Sequence, residues 1–160
     1  MSCPIFLKLS RAALARRDIV RRIVQRSRSV PRHAVAETTY AFAMTEDELS
    51  FARALLSVQS QLWLFRTHQR GFAGDFVVVN VSSPDPAHRP VFAVELKLGA
   101  RVRVHDGTPL QLRNAGLVVT HIARTGVIAD SCEPEMLTGD ARAVINHLRG
   151  ASRCFRRWCW

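Results

Sequence analysis

Apolar residues in this chain recur with helical spacing in some stretches and stand in short unbroken runs in others. In residues 7–26, LKLSRAALARRDIVRRIVQR, the positions Leu9, Ala13, Val20 and Val24 recur near the helical period while arginines fill the other sides. That pattern predicts a basic amphipathic helix. SRSVPRHAV reads as a linker, with Pro31 ending the helix. After Met44, the run Thr45-Glu46-Asp47-Glu48 is a capping-box signature. It predicts a helix over 46–58 that buries Leu49, Ala52, Leu55 and Leu56. QLWLFRTH reads as a short strand with Trp63 and Phe65 on one face. Gly71 and Gly74 bracket a turn that delivers Asp75 to the strong β run FVVVNV, and PDPAHRP turns the chain back into VFAVELKLG as the antiparallel partner.

Thr108-Pro109-Leu110-Gln111 opens a second helix, with proline at its first position. That helix carries Leu112, Ala115, Leu117, Val118, Val119 and Ile122 and stops near Gly126. GVIADS is then expected as a fourth strand, parallel to 91–98, because a helix of this length makes the usual crossover. A last helix is expected over about 139–148, ended by Gly150. The elements predict an α/β fold, a mixed four-stranded sheet flanked by helices. They divide the chain into a basic helix and linker (1–43), a domain (44–148) and a basic-aromatic tail (149–160).

Composition narrows the class. A chain of 160 residues with 48% hydrophobic and 22% charged residues is globular and holds one domain of ordinary size. No apolar run approaches the roughly 18 residues of a membrane span. The opening MSCPIFLKLS lacks the apolar core of a secretory signal. Cys3, Cys132, Cys154 and Cys159 form no C-x-x-C pair, which argues for a reduced, cytoplasmic protein without a zinc site. The net charge of +10 sits in the flanks: residues 1–43 carry nine basic and two acidic side chains, and 149–160 carry four basic and none acidic. Such flanks suit a polyanion. A solvated helix face, a membrane-surface helix or an arginine-rich targeting segment explains the N-terminal charge equally simply. The stretch RCFRRWCW suits stacking on single-stranded nucleic acid, or tryptophans folded back on the domain.

Glu95 and Lys97 interrupt the strand 91–99. Lysine is scarce here, since of 23 basic residues only Lys8 and Lys97 are lysines. Residues i and i+2 on a strand share a face, so carboxylate and ammonium are expected on one side with Leu96 on the other. In the hairpin, Asp75 at the start of one strand falls beside the end of the next, and the three charges converge at one end of the sheet. Two carboxylates with a backbone carbonyl, here that of Leu96, form an oxygen site suited to magnesium or manganese. Such an ion polarises a phosphoryl oxygen and acidifies a bound water. The Lys97 ammonium can orient that water or stabilise transition-state charge. Lysine tunes its pKa when buried, which an arginine fork does not do. A plain ion pair at a sheet edge is the alternative; it explains neither Asp75 behind a glycine turn nor the choice of lysine.

Gly74-Asp75, nineteen residues, then Glu95-Leu96-Lys97 resembles the core motif of the PD-(D/E)XK nuclease superfamily. Within it, the pattern is most similar to VRR-NUC and Holliday-junction-resolvase-like domains. Glu48 on the first helix, GFAGDFVVV, VELK and TPLQLRNAG with Gln111 occur in the family's order over roughly 44–148. Gly74 stands where the family usually has proline, and PDPAHRP is longer than a tight hairpin. Pro84-Asp85 is a literal "PD", but it lies in the turn, and only nine residues separate Asp85 from Glu95. The resemblance implies a restriction-endonuclease-like core and a magnesium-dependent phosphodiesterase, a DNA endonuclease that hydrolyses nucleic acid. Its alternative is a catalytically inactive binding module of the same fold. Asp75, Glu95, Lys97 and Gln111 would then be catalytic, and Asp75, Glu95, Leu96 and Glu48 would hold the metal. Glu46 competes with Glu48 as a ligand, and Gln111 is also readable as a helix cap alone. Arg16, Arg17, Arg21, Arg22, Arg101, Arg103, Arg156 and Arg157 are the candidate phosphate contacts. Junction cutters of this type usually act as homodimers.

Overall fold

The unbroken run FVVVN builds the centre of the sheet. In the computed structural model the described residues are 6–10, 45–58, 61–67 and 75–157. In chain order the elements are β1 (Phe6–Leu9), α1 (Glu46–Val58), β2 (Leu62–Thr67), β3 (Phe76–Asn80), β4 (Val91–Leu96), β5 (Arg103–His105), α2 (Pro109–Arg124), β6 (Pro134–Gly139) and α3 (Ala141–Arg157). The sheet is six-stranded and mixed, in the order β1-β2-β3-β4-β6-β5. The first four strands pair antiparallel, β4 and β6 pair parallel, and β5 closes the far edge antiparallel to β6. A parallel neighbour requires a crossover, and α2 supplies it.

All five residues of β3 are buried, as a central strand covered on both faces requires. Alternation divides them between two cores. Phe76 and Val78 join Leu9, Leu64, Val94 and Leu137 under α1 and α3, where Phe51 and Leu148 pack. Val77 and Val79 join Phe65 and Val91 under α2, against Val118, Val119 and Ile122. Full burial of each such side chain stabilises by about 1.5–3 kcal/mol. At the α2 end the layer thins to Ala93, Ala115 and Met136, so the helix start lies close to the sheet.

Both capping signatures form as read. Thr108 and Gln111 exchange side-chain and backbone hydrogen bonds at the start of α2. Its far end closes at Gly126, whose φ of 81° is the left-handed conformation that favours glycine at such a stop.

Four expectations change. The sheet has six strands rather than four. Residues 6–9 are an edge strand and not the start of a helix; Leu9 is buried while Lys8 stays exposed, the alternation of a strand. The rest of the expected N-terminal helix, from residue 11 onward, lies outside the described residues. β1 also brings the segment before residue 44 into the sheet, where Lys8 Nζ stands 3.3 Å over the Trp63 ring. GVIADS forms turns, and β6 takes the parallel position eight residues later. Ile128 is buried there under α2, so the apolar signal was real but came from a packed turn. Pro134 opens β6, a strand position that needs no donor. Finally, α3 starts at Ala141 and passes through Gly150 to Arg157, beyond the expected stop. An isolated glycine lowers helix stability by about 1 kcal/mol and does not terminate it.

A candidate active site at the end of the sheet

Asp75 stands one residue before β3. Its N–H donates to the Val94 carbonyl at 2.7 Å. Its Oδ2 accepts the Leu96 N–H at 2.7 Å. The carboxylate thus does for Leu96 what a further strand carbonyl would have done, and the β3–β4 ladder ends on a charged group. The register Phe76↔Val94 puts Glu95 at the next position opposite Asp75.

Glu48 reaches this point from α1. As the third helical residue it accepts the Thr45 N–H at 3.1 Å through Oε2, while its own N–H donates to Thr45 Oγ1 at 3.3 Å. The same Oε2 lies 2.8 Å from Arg66 of β2, with side chains only 15% and 13% exposed. Arg66 also donates to the Asp75 carbonyl at 3.1 Å and lies 5.1 Å over the Phe76 ring. Burial holds the Glu48 carboxyl above its ordinary range; the nearby Asp75 charge and a hydrogen bond to the Asp75 carboxyl add to the rise, and Arg66 opposes it. Glu48 and Asp75 thus lie beside each other around Arg66, which pairs with the Glu48 carboxylate and donates to the Asp75 carbonyl. Of the three first-turn acids, Glu48 meets Asp75, and Glu46 and Asp47 are exposed.

Glu95 shares the parity of Val91 and Ala93 and so belongs to the α2 face. It registers with Thr138 of β6, and Thr138 with Arg103 of β5. His105 Nε2 meets Thr138 Oγ1 at 3.0 Å. The start of α2 stands on this same side of the sheet, where Gln111 Oε1 accepts the Thr108 N–H at 2.8 Å. The cap is therefore the role of Gln111 that the geometry displays. Lys97 lies just past β4, and its N–H donates to the Gly139 carbonyl at 2.8 Å. Its side chain is exposed, and among the described residues no hydrogen bond or ion pair joins it to Asp75 or Glu95.

The sheet end thus brings Asp75, Glu48, Glu95 and Leu96 together along the backbone, but from two faces. Asp75 sits at the end of the β3–β4 ladder with its carboxylate on the Leu96 N–H, Glu48 approaches from the α1 side, and Glu95 has the parity of the α2 side. Leu96 contributes its N–H to Asp75. Arg101 and Arg103 are exposed on the approach to β5. Arg156 and Arg157 fall in the last turn of α3, and Arg16, Arg17, Arg21 and Arg22 lie outside the described residues.

The donor chemistry fits a hard divalent cation, because Glu48 and Asp75 offer carboxylate oxygens whose mutual repulsion a cation relieves. Among the described residues no three His, Cys, Asp or Glu side chains form a metal-binding group. The protein set is thus two carboxylates, and magnesium commonly completes so sparse a set with water and substrate oxygens.

Reading the sequence alone missed Arg66, Thr138 and His105. Arg66 carried a usable signal: Leu62, Leu64 and Arg66 share one strand face, and an arginine in line with buried leucines needs a partner. Thr138 and His105 depend on β6 and β5, strands the apolar pattern did not give.

No family model, curated protein or solved structure matches this chain. Among the described residues no helix is long and apolar enough to cross a membrane.

Proposed function

We propose that the chain is a divalent-metal-dependent nuclease, an endonuclease acting on DNA. The observation that carries this reading is the close pair of Glu48 and Asp75, with Glu95 one register position away and a lysine two residues beyond it. Magnesium or manganese, when bound, would polarise the scissile phosphoryl group and acidify an attacking water. Asp75 and Glu48 are the residues that would hold it, with Glu95 at the register position opposite Asp75. Asp75 is already oriented by the Leu96 N–H, and Glu48 by Thr45 and Arg66. Arg66 acts as a positioning residue, keeping two like charges at the sheet end. Lys97 stands at the exposed side, where an ammonium can steady water or the developing negative charge. Purified chain is expected to nick supercoiled plasmid with magnesium, and Asp75→Ala and Lys97→Ala to stop it. Equal nicking by all three proteins would discard the proposal.

A second reading, a nucleic-acid-binding module without catalysis, draws on two observations. Lys97 makes no contact with either carboxylate, and Glu95 has the parity of the face opposite Glu48. Calorimetry separates the two. Magnesium or manganese binding that disappears in Asp75→Asn supports the nuclease, and no heat at millimolar metal supports the module.

A further inference from the structure

Immediately after Lys97 the chain presents Leu98, 89% exposed, the most exposed of the large apolar side chains described. Single exposed leucines are common and need no function. This one differs in how firmly it is held. Lys97 to Ala100 form a β-turn closed by the Ala100 N–H on the Lys97 carbonyl at 3.2 Å, with Gly99 at a φ of 71°. That is the type II pattern, which requires a positive φ at its third residue. Both ends are fastened to the sheet: Lys97 N–H donates to the Gly139 carbonyl at 2.8 Å, and Asp140 N–H to the Ala100 carbonyl at 2.9 Å. A side chain at Gly139 would come within 2.9 Å of the Val102 Cα, so the chain lies directly on β6 there.

The turn therefore holds an apolar side chain out into water on a braced support. Residues 97–105 contain Lys97, Arg101 and Arg103 and no acid, while Asp140, whose N–H meets the Ala100 carbonyl, accepts the Ala143 N–H at 2.8 Å through its carboxylate. A second copy of the chain docking here about a two-fold axis would bring like charges together. A polyanion with an apolar interior meets both features at once. Proteins that deform nucleic acid insert leucine and similar residues between base steps while arginine and lysine hold the phosphates.

We propose that Leu98 is a wedge that enters a base step beside the candidate site, and that the preferred substrate is nucleic acid with an interrupted stack at that step. Leu98 lies two residues from Leu96, within roughly 7 Å along the chain, so the wedged step adjoins the phosphate presented to Asp75. Unstacking is least costly at a bulge, mismatch or branch, and that difference gives the selectivity. The assignment of the neighbouring site to phosphodiester cleavage rests on the nuclease reading; the wedge itself does not need it.

The test uses the full chain in EDTA, which silences a divalent-metal nuclease, with duplexes carrying 2-aminopurine beside a single-base bulge or fully paired. Wild type is expected to bind the bulged duplex about tenfold more tightly and to brighten the probe. Leu98→Ala should lose most of that preference and the brightening while its affinity for the paired duplex holds, since roughly three methylene equivalents leave the contact. Leu98→Met should retain both, because it keeps a large apolar side chain. Unchanged preference and fluorescence in Leu98→Ala would overturn the wedge. So would dissociation of a wild-type dimer by Leu98→Ala in sedimentation, which would assign the side chain to an interface between copies. Leu98-dependent brightening with no plasmid nicking in magnesium would uphold the wedge and reject the nuclease. Nicking without such brightening would do the reverse.

Discussion

The two sides of the sheet end handle charge in opposite ways. On the α1 side, Glu48, Arg66 and Asp75 are shielded from water and bound to one another through short contacts. On the β5 side, Lys97, Arg101 and Arg103 are exposed around an apolar residue. Shielded charges are costly to place and tolerate the loss of a partner poorly. Exposed ones cost little, are screened by salt, and contribute mainly when a charged partner arrives. The first side is built to fix geometry before anything binds. The second leaves its charges open to solvent.

The largest expected effect breaks the first side chemically. Asp75→Asn keeps an oxygen that can accept the Leu96 N–H but removes the charge, so the fold should hold while nicking falls by about a hundredfold or more. If the exposed side alone produced activity, the variant would cleave normally. Next comes Arg66→Leu, which leaves Glu48 beside Asp75 without its counter-ion. Chemical denaturation is expected to show a loss of about 2–3 kcal/mol, partly recovered by adding Glu48→Gln. No recovery in the double variant would mean that Arg66 acts through packing on Phe76 and not through charge.

A smaller effect sharpens the contrast by pH. The folded protein holds the Glu48 carboxyl above its ordinary value of 4.5. Its protonated form is therefore favoured in the fold, and the associated stability is complete below that value and fades as pH rises through the raised one. Melting temperature should fall over that window by a few degrees at most in wild type and stay flatter in Glu48→Gln. Millimolar magnesium should offset the fall in wild type, because ionised carboxylates are the ligands. The smallest effect belongs to the exposed side. Arg101→Ala with Arg103→Ala should leave stability unchanged and reduce the log K versus log salt slope on duplex DNA by about 2 in magnitude. An unaltered slope would mean that neither arginine meets a phosphate.

The sequence disclosed what local rules determine. Both capping boxes, the antiparallel hairpin of VVVNV and VFAVEL, and the opposition of Asp75 and Glu95 follow from short-range patterns that survive in the folded chain. Where tertiary context decided, the pattern misled. The apolar residue Ile128 signalled a strand but packs from a turn, while β6 draws its pairing from β4 and β5 and carries only two buried apolar residues, Met136 and Leu137. FLKL is too short for its period to separate strand from helix, and only its pairing with β2 decides. The faces of the candidate site were hidden for a similar reason. Alternation puts Glu95 and Lys97 on one face, but β4 ends at Leu96 and the Lys97 side chain is exposed, with no hydrogen bond or ion pair to Asp75 or Glu95 among the described residues.

Gly139 carries a consequence for how this surface can change. It is the one residue that both receives the Lys97 N–H and leaves room for the backbone at Val102. A single methyl there would lift the 97–102 segment off the sheet and displace Lys97, Leu98 and Arg101 as a group, without touching an ionisable atom. Lineages of this chain can therefore exchange the exposed side chains one at a time, each with a graded effect. The position beneath them offers no such gradation, because its smallest alteration moves the whole ensemble at once.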